Sequence, residues 1–471
     1  MNSLTDPTVR FVSLELNNFG CVKNGTISMD KTKIYTSDIL GVYGQNGSGK
    51  SALVNALGFL RILLCGVGFD NIGNYVRVGE KDVGIKAVFN IAMNGKTNSF
   101  EYSVKIVQSQ NDWVISEEKV VVSDTENPKN RRSLEYYSDE KSCVVKPASL
   151  VNKFKHFLDN KPELTKGTPT ELFFLMQKQV SRFHRTSYLF QPDMIDLYVS
   201  YKSDNNGESI TDYLSIINYY AQCYFFVIGD SFLQNSIQKN NHLSIVLPNQ
   251  QVAVLGHLGN FSINLNGSTF VKETEDGDFF LFLQQINYFL KALSPGFELS
   301  AYKTDSFEHM NKKLGNYYDV FIKKNNVKIP IKYESLGIKK LISLVTVLVF
   351  IYKSPSLLIV IDEFDASLHE FVLASFLKAF DKGGKGQIIF TSNNLYPLEV
   401  LDKNQCCFTS TNEENRYVTL KYVKPNNNLR NLYLNEISGE KKNDSKNPDL
   451  FNTISVENIN TIFDSSFTST L

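Results

Sequence analysis

Apolar positions along the chain switch between a period of two and a period near 3.6, and the switches mark out the elements. Residues 9–16 alternate at period two, residues 17–20 turn, and residues 25–29 form a second strand, which predicts a β-hairpin over 9–30. A continuous apolar strand follows at 39–43, and a helix-forming run at 52–60. Residues 84–92 and 99–107 are strands on either side of Asn94-Gly95, a hairpin turn signal, and 113–122 continues the sheet. Residues 124–147 are polar and read as an exposed excursion. Helical spacing then takes over: Phe154, Phe157 and Leu158, then 172–180, then 212–226, with a linker-like break at 203–209. Strand character returns at 244–248 and 261–271, helix at 278–293, and strands at 298–303 and 318–333, the last turning at 324–326. Residues 357–361 are a continuous apolar strand of the kind buried in a parallel sheet. A helix to Phe380 and a strand at 387–392 follow.

The first apolar strand runs into Gly44-Gln45-Asn46-Gly47-Ser48-Gly49-Lys50-Ser51, a complete GxxxxGK[ST] phosphate loop, with Ala52 opening the helix behind it. Glycines let backbone N–H groups close on phosphate oxygens, and the helix N-terminus favours an anion. In such a loop the lysine reaches the β- and γ-phosphates and the hydroxyl of Ser51 ligates Mg²⁺. The strand at 357–361 ends in Asp362-Glu363. Asp362 is placed to hold Mg²⁺, directly or through water, and Glu363 to polarise an attacking water. The long separation between Lys50 and Asp362 implies a large insertion between the two halves of one nucleotide-binding fold.

Composition narrows the picture. With 471 residues the chain exceeds one average domain. Its 49 basic and 49 acidic residues give no global charge for nucleic acid, although a local patch is compatible with that balance. Six cysteines without CxxC or zinc spacing read as free buried thiols in a reducing cytoplasm. The first ten residues lack a signal-peptide core, and the apolar run 341–352 is too short to span a bilayer, so no membrane partner is expected. Two features stay open. Phe19 fits either stacking on adenine or packing at the sheet edge. Lys178, Arg182, His184 and Arg185, interleaved with Phe183 and Tyr188, fit either a phosphate or protein contact or a solvated helix face.

With both halves of the site in view, the chain resembles ABC-type ATPases of the SMC-like and overcoming-lysogenization-defect lineage. More closely, it is similar to the short AAA-type ATPases of bacterial anti-phage and abortive-infection systems. Leu14-Glu-Leu-Asn-Asn-Phe is similar to their opening strand, and Asp362-Glu-Phe-Asp-Ala-Ser-Leu-His369 to their Walker B and D-loop run. Glu334-Ser335-Leu-Gly337 sits where that family carries its signature. The resemblance covers about 9–66 and 330–424 and implies an α/β fold. In that fold an ABC-type ATPase head carries an antiparallel β extension and a large helical insertion. The implied division is 1–123 (first part of the head), 124–240 (mainly helical insertion or lid) and 241–330 (mixed α/β return). Residues 331–424 form the second part of the head, and 425–471 a partly disordered tail.

The resemblance further implies a homodimer or larger homo-oligomer around ATP, in which Ser335 and Gly337 contact the γ-phosphate held by the other copy. Where the family has a switch histidine this chain has Asn393, which hydrogen-bonds but is neither acid nor base near neutral pH, so slow turnover is expected. No HNH cluster is visible, and no histidine follows an arginine at ribonuclease spacing. Effector chemistry, a nuclease or toxin, is expected from a separate protein, with a phage protein or nucleic acid as trigger. An SMC-like repair ATPase acting on DNA ends is the alternative.

Overall fold

Strand β3, Asp38–Tyr43, is buried at every position because it has a neighbour on each edge and a packed layer on each face. The computed structural model describes residues 7–29, 32, 35–69, 72–109, 112–139, 143–204, 209–229, 242–244, 262–264, 267–293, 296–309, 312–324, 327–335, 338–339, 341–342, 351–367, 370–419 and 428–438. The chain adopts an α/β fold. N-terminal to β3, β1 (Thr8–Phe19) and β2 (Val22–Ser28) form the expected hairpin. After β3 come α1 (Lys50–Leu64), β4 (Asp82–Met93), β5 (Lys96–Ser109), β6 (Asp112–Asp124), β7 (Arg131–Ser138) and β8 (Cys143–Lys146). These strands, with β1 and β2, make one antiparallel sheet in the order β2-β1-β4-β5-β6-β7-β8.

The excursion expected at 124–147 therefore contains two strands. Its composition is polar because only Leu134 and Tyr136 of β7 point inward. Tyr136 stacks on Tyr188 with ring centroids 4.4 Å apart. Beside it the Glu118 carboxylate of β6 is fully buried. It accepts from the Tyr102 hydroxyl at 2.6 Å and the Tyr188 N–H at 2.7 Å, and burial raises its pKa. These contacts fasten the chain around Tyr188 to the sheet.

Helices α2 (Ala148–Asp159), α3 (Thr170–His184), α4 (Pro192–Asp204) and α5 (Ile210–Cys223) follow. The helical pattern expected through Phe226 stops at Cys223. Phe225–Ile228 is instead strand β9, which pairs in parallel with a strand from the far end of the chain. β10 (His242–Ser244) and β11 (Ser262–Asn264) form a small ribbon. β12 (Thr269–Lys272), α6 (Asp276–Leu293), β13 (Phe297–His309), β14 (Lys312–Lys324) and β15 (Val327–Pro330) build a second antiparallel sheet backed by α6. The expected turn at 325–326, most of the apolar run 341–352 and the expected disordered tail segments lie outside the described residues.

The last described elements are β16 (Leu358–Ile361), α7 (Glu370–Gly383), β17 (Gln387–Ser392), β18 (Cys406–Thr409), β19 (Tyr417–Val418) and α8 (Leu429–Ser438). The central sheet has the order β19-β18-β3-β17-β16-β9, parallel except at β19. Its strand residues alternate between two cores. Leu40, Val42, Leu358, Val360 and Ile389 meet α1 and the first antiparallel sheet, while Ile39, Ile359, Ile361, Ile388 and Phe390 meet α6 and α7. Register places Tyr43 opposite Ser392, and Phe390 opposite Ile361. Gly44, Asp362 and Asn393 therefore leave the sheet along one edge, outside the carboxyl ends of its strands.

Among the described residues no helix is long and apolar enough to cross a membrane. Cys65, Cys223, Cys406 and Cys407 are free and wholly or partly buried, as expected, and burial pushes the Cys407 thiol up to about 12. Cys21 departs from the expectation: it is free but exposed.

Candidate functional site

The phosphate loop has the backbone its glycines permit. Gly49 takes φ +113° as the residue capping α1, a conformation rare for any side-chain-bearing residue. A Cβ on Gly44 would lie 1.6 Å from the Thr409 hydroxyl oxygen, so only glycine fits there. Asn46 and Gly47 are exposed at the loop tip, and Ser51 is exposed on the first turn of α1. Ala52 packs partly against the core behind it. Lys50 folds back over the loop, and its Nζ donates to the carbonyls of Gly44 at 2.6 Å and Gln45 at 3.1 Å. The Ser48 hydroxyl donates to the Gln45 carbonyl at 2.5 Å. The loop thus forms a ring of backbone with one ammonium held over it.

Around that ammonium stand the carboxylates from the other end of the chain. Burial lowers the Lys50 pKa, while Asp362, Asp365 and Glu363, in that order, pull it back up. One cation facing three carboxylates leaves the site net negative. A divalent cation accompanying a polyphosphate would offset that charge, and the hydroxyl of Ser51 and the carboxylate of Asp362 are hard oxygen donors of the type Mg²⁺ takes. The residues therefore fit a nucleotide with Mg²⁺. Among the described residues no group of three or more His, Cys, Asp or Glu side chains is disposed to hold a metal alone.

Asp362 continues the ladder of β16, its N–H donating to the Ile228 carbonyl at 2.8 Å, and its carboxylate accepts from the Thr391 hydroxyl at 2.5 Å. The N–H of Glu363 donates to the same Thr391 oxygen at 2.8 Å. Glu363 itself sits at φ +47°, a sparsely populated conformation for a residue with a side chain. Thr391 thereby holds both members of the acidic pair. Replacing Thr391 by valine removes both the donor to Asp362 and the acceptor of the Glu363 N–H with little change of shape. It is expected to lower phosphate release about tenfold with little change in ATP affinity, measured as kcat against the nucleotide Kd.

Asn393 is exposed beyond β17. Its N–H and that of Asn394 donate to the Asp365 carboxylate at 3.2 Å and 2.9 Å, so the turn after Glu363 grips the turn after β17. Asp365 lies within the Asp362–His369 run but carries no role of its own in the sequence motifs, and Thr391 carries none. An Asp two residues beyond the acidic pair was the available signal. Thr409 carried none.

Ser335 is exposed, and its bonds are local. Its N–H donates to Glu334, its hydroxyl accepts from Ile338 N–H at 3.4 Å and its carbonyl accepts from Lys339 N–H at 3.1 Å, so it opens a helical turn. Gly337 and His369 lie outside the described residues. Phe19 is fully buried and stacks on Tyr75 at 5.8 Å, the packing alternative. Of the basic cluster, Arg185 is paired with Asp112 at 2.8 Å and Tyr188 is buried, while Phe183 is 79% exposed.

Several solved structures resemble the chain at low similarity. A head domain of Smc bound to the C-terminal winged-helix domain of ScpA shares 16% identity, with 88% of this chain and 98% of that one aligned and a TM-score of 0.44. The recombination mediator RecF with ATP shares 13% over 88% and 100%, with a TM-score of 0.38. The SMC head domain of Thermotoga maritima shares 13% over 88% and 99%, with a TM-score of 0.35. Among curated proteins none matches. The family AAA_15, AAA ATPase domain, matches residues 11–394, a span that takes in both the phosphate loop and the Asp362–Glu363 turn. By that match the chain belongs to the AAA_15 family of ATPase domains.

Proposed function

We propose that the chain binds and slowly hydrolyses ATP, pairs with a second copy around the nucleotide, and controls a separate effector, a nuclease or toxin, in bacterial anti-phage defence. The observation that carries the ATPase part is the strand register that ends β3 and β16 at one edge of the central sheet, which puts Asp362, Asp365 and Glu363 near enough to Lys50 to raise its pKa. The loop N–H groups and Lys50 bind the phosphates, and Ser51 and Asp362 hold Mg²⁺, which neutralises phosphate charge when bound. Glu363 takes a proton from water, and Asn393 gives one neutral hydrogen bond.

Pairing is supported by Ser335, which stands exposed at the start of a helical turn. A protein effector, rather than DNA, is supported by the outer side of α3. There Leu172, Leu175, Met176 and Phe183 are 46%, 52%, 48% and 79% exposed at helical spacing. The defence role itself rests on the resemblance of the head motifs.

The test is mass photometry with ATP, before and after Ser335→Arg. Wild type is expected to dimerise, and the variant to bind ATP yet remain monomeric. A variant that dimerises like wild type removes the role of Ser335 across the interface. Phosphate release stimulated strongly by DNA ends would favour the repair alternative.

A further inference from the structure

Beyond the motifs, the phosphate loop is held from behind by the hairpin of β18 and β19. We propose that this hairpin is a brace that sets the loop's shape for nucleotide, with Thr409 and Tyr417 as its positioning residues. The inference rests on the reading of the loop as an ATP site.

Thr409 ends β18, parallel to and level with β3. Its hydroxyl lies 2.5 Å from the Ser48 hydroxyl and 3.3 Å from the Tyr43 carbonyl. Ser48 has one proton, within reach of the Gln45 carbonyl. Thr409 likewise has one, within reach of the Tyr43 carbonyl, so two protons serve three contacts and the two hydroxyls bind each other with either as donor. The hydroxyl contacts link Tyr43 through Thr409 and Ser48 to the Gln45 carbonyl, which also accepts from Lys50. The same threonine oxygen fills the space that a side chain at Gly44 would need.

Tyr417 acts at the loop's other end. Its hydroxyl donates to the Gly49 carbonyl at 2.9 Å, beside the first turn of α1. The ring is buried, and burial raises the phenol's pKa well above its ordinary range, so it stays a donor. It is seated against Gly25 of β2, where a Cβ would come within 2.6 Å of the ring.

The hairpin does not depend on the loop for its own position. Asn24 N–H donates to the Glu413 carbonyl and Arg416 N–H to the Asn24 carbonyl, both at 3.0 Å. Lys23 pairs with Glu414 at 2.5 Å, and Arg77 with Glu413 at 2.7 Å. A segment fixed to the antiparallel sheet thus presents two hydroxyls to the two ends of a loop that is otherwise glycine-rich.

The experiment titrates a fluorescent ATP analogue with Mg²⁺ into wild type, Thr409→Val, Thr409→Ser, Tyr417→Phe and Lys50→Ala, with circular dichroism as the folding check. Thr409→Val is expected to raise Kd about tenfold, the factor one hydrogen bond typically carries. Thr409→Ser, which keeps the hydroxyl, stays within about twofold of wild type, and Tyr417→Phe weakens binding about three- to tenfold. Wild-type affinity in both Thr409→Val and Tyr417→Phe, with binding lost in Lys50→Ala, overturns the brace and leaves the ATP reading standing. Equal losses in the serine and valine variants also overturn it, because packing and not the hydroxyl is then responsible. If Thr409→Val does not fold, Tyr417→Phe decides. Absence of binding by wild type, or wild-type binding by Lys50→Ala, removes the ATP reading and the brace with it.

Discussion

Exchanging Glu363 for glutamine is expected to lower steady-state phosphate release about 10²–10⁴-fold while leaving ATP bound, the range that a positioned general base typically contributes. Glutamine keeps the volume of the side chain and gives up its basicity. The backbone at φ +47° and the N–H bond to Thr391 make no demand on the carboxylate, so the turn keeps its form in the variant. Asp362, Lys50 and the loop are untouched, and they are the groups assigned to phosphate and Mg²⁺. The variant should therefore retain nucleotide through gel filtration and accumulate as the ATP-bound dimer. The wild-type rate should already be low, because the neutral hydrogen bond of Asn393 is worth only about 0.5–1.5 kcal/mol and does no acid–base work. Phosphate release by wild type and Glu363→Gln, measured side by side, decides the matter. A variant as fast as wild type would leave Glu363 without a catalytic role.

The parts of the site that were legible in the sequence are those whose chemistry is local. Gly44 through Ser51 form one contiguous motif between a strand and a helix, and Asp362-Glu363 follow an apolar run of the length and kind buried in a parallel sheet. The parts that were not legible depend on contacts made in the folded chain. Thr391 reaches back to Asp362, Thr409 to Ser48 and Tyr417 to Gly49, and threonine or tyrosine at the end of a strand has no spacing that marks it. The fold shows the same division. Hairpins with an Asn-Gly turn or strict alternation were readable. β9 was hidden because Tyr219, Tyr220 and Tyr224–Phe226 continue an aromatic-rich helical pattern past the real end of α5. β7 was hidden because five of its eight residues are Arg, Ser or Glu and only two side chains are buried. Phe19 fits two readings in the sequence, stacking on adenine or packing at the sheet edge, and its contacts with Phe59 and Tyr75 decide for packing.

The largest loss of binding is expected from Lys50→Ala. Lys50 is the loop's one side-chain cation. In the structure it donates to two carbonyls of its own loop. Hydrogen bonds to charged groups are worth about 1.5–3 kcal/mol each, so the loss of two to phosphate corresponds to about 3–6 kcal/mol. That is roughly 10²–10⁴ in Kd. The electrostatics act in the same direction. Burial already lowers the Lys50 pKa, and three carboxylates offset that by favouring the charged form. With the ammonium gone, those carboxylates face the incoming phosphates without a resident counter-charge. Raising Mg²⁺ should recover only part of the affinity, since a cation held by Ser51 and Asp362 does not replace a donor held over Gly44 and Gln45. Calorimetric titration of ATP into both proteins at two Mg²⁺ concentrations measures this, with unchanged circular dichroism showing that the alanine variant is folded. Equal affinity in the two proteins would mean that phosphate does not bind at this loop.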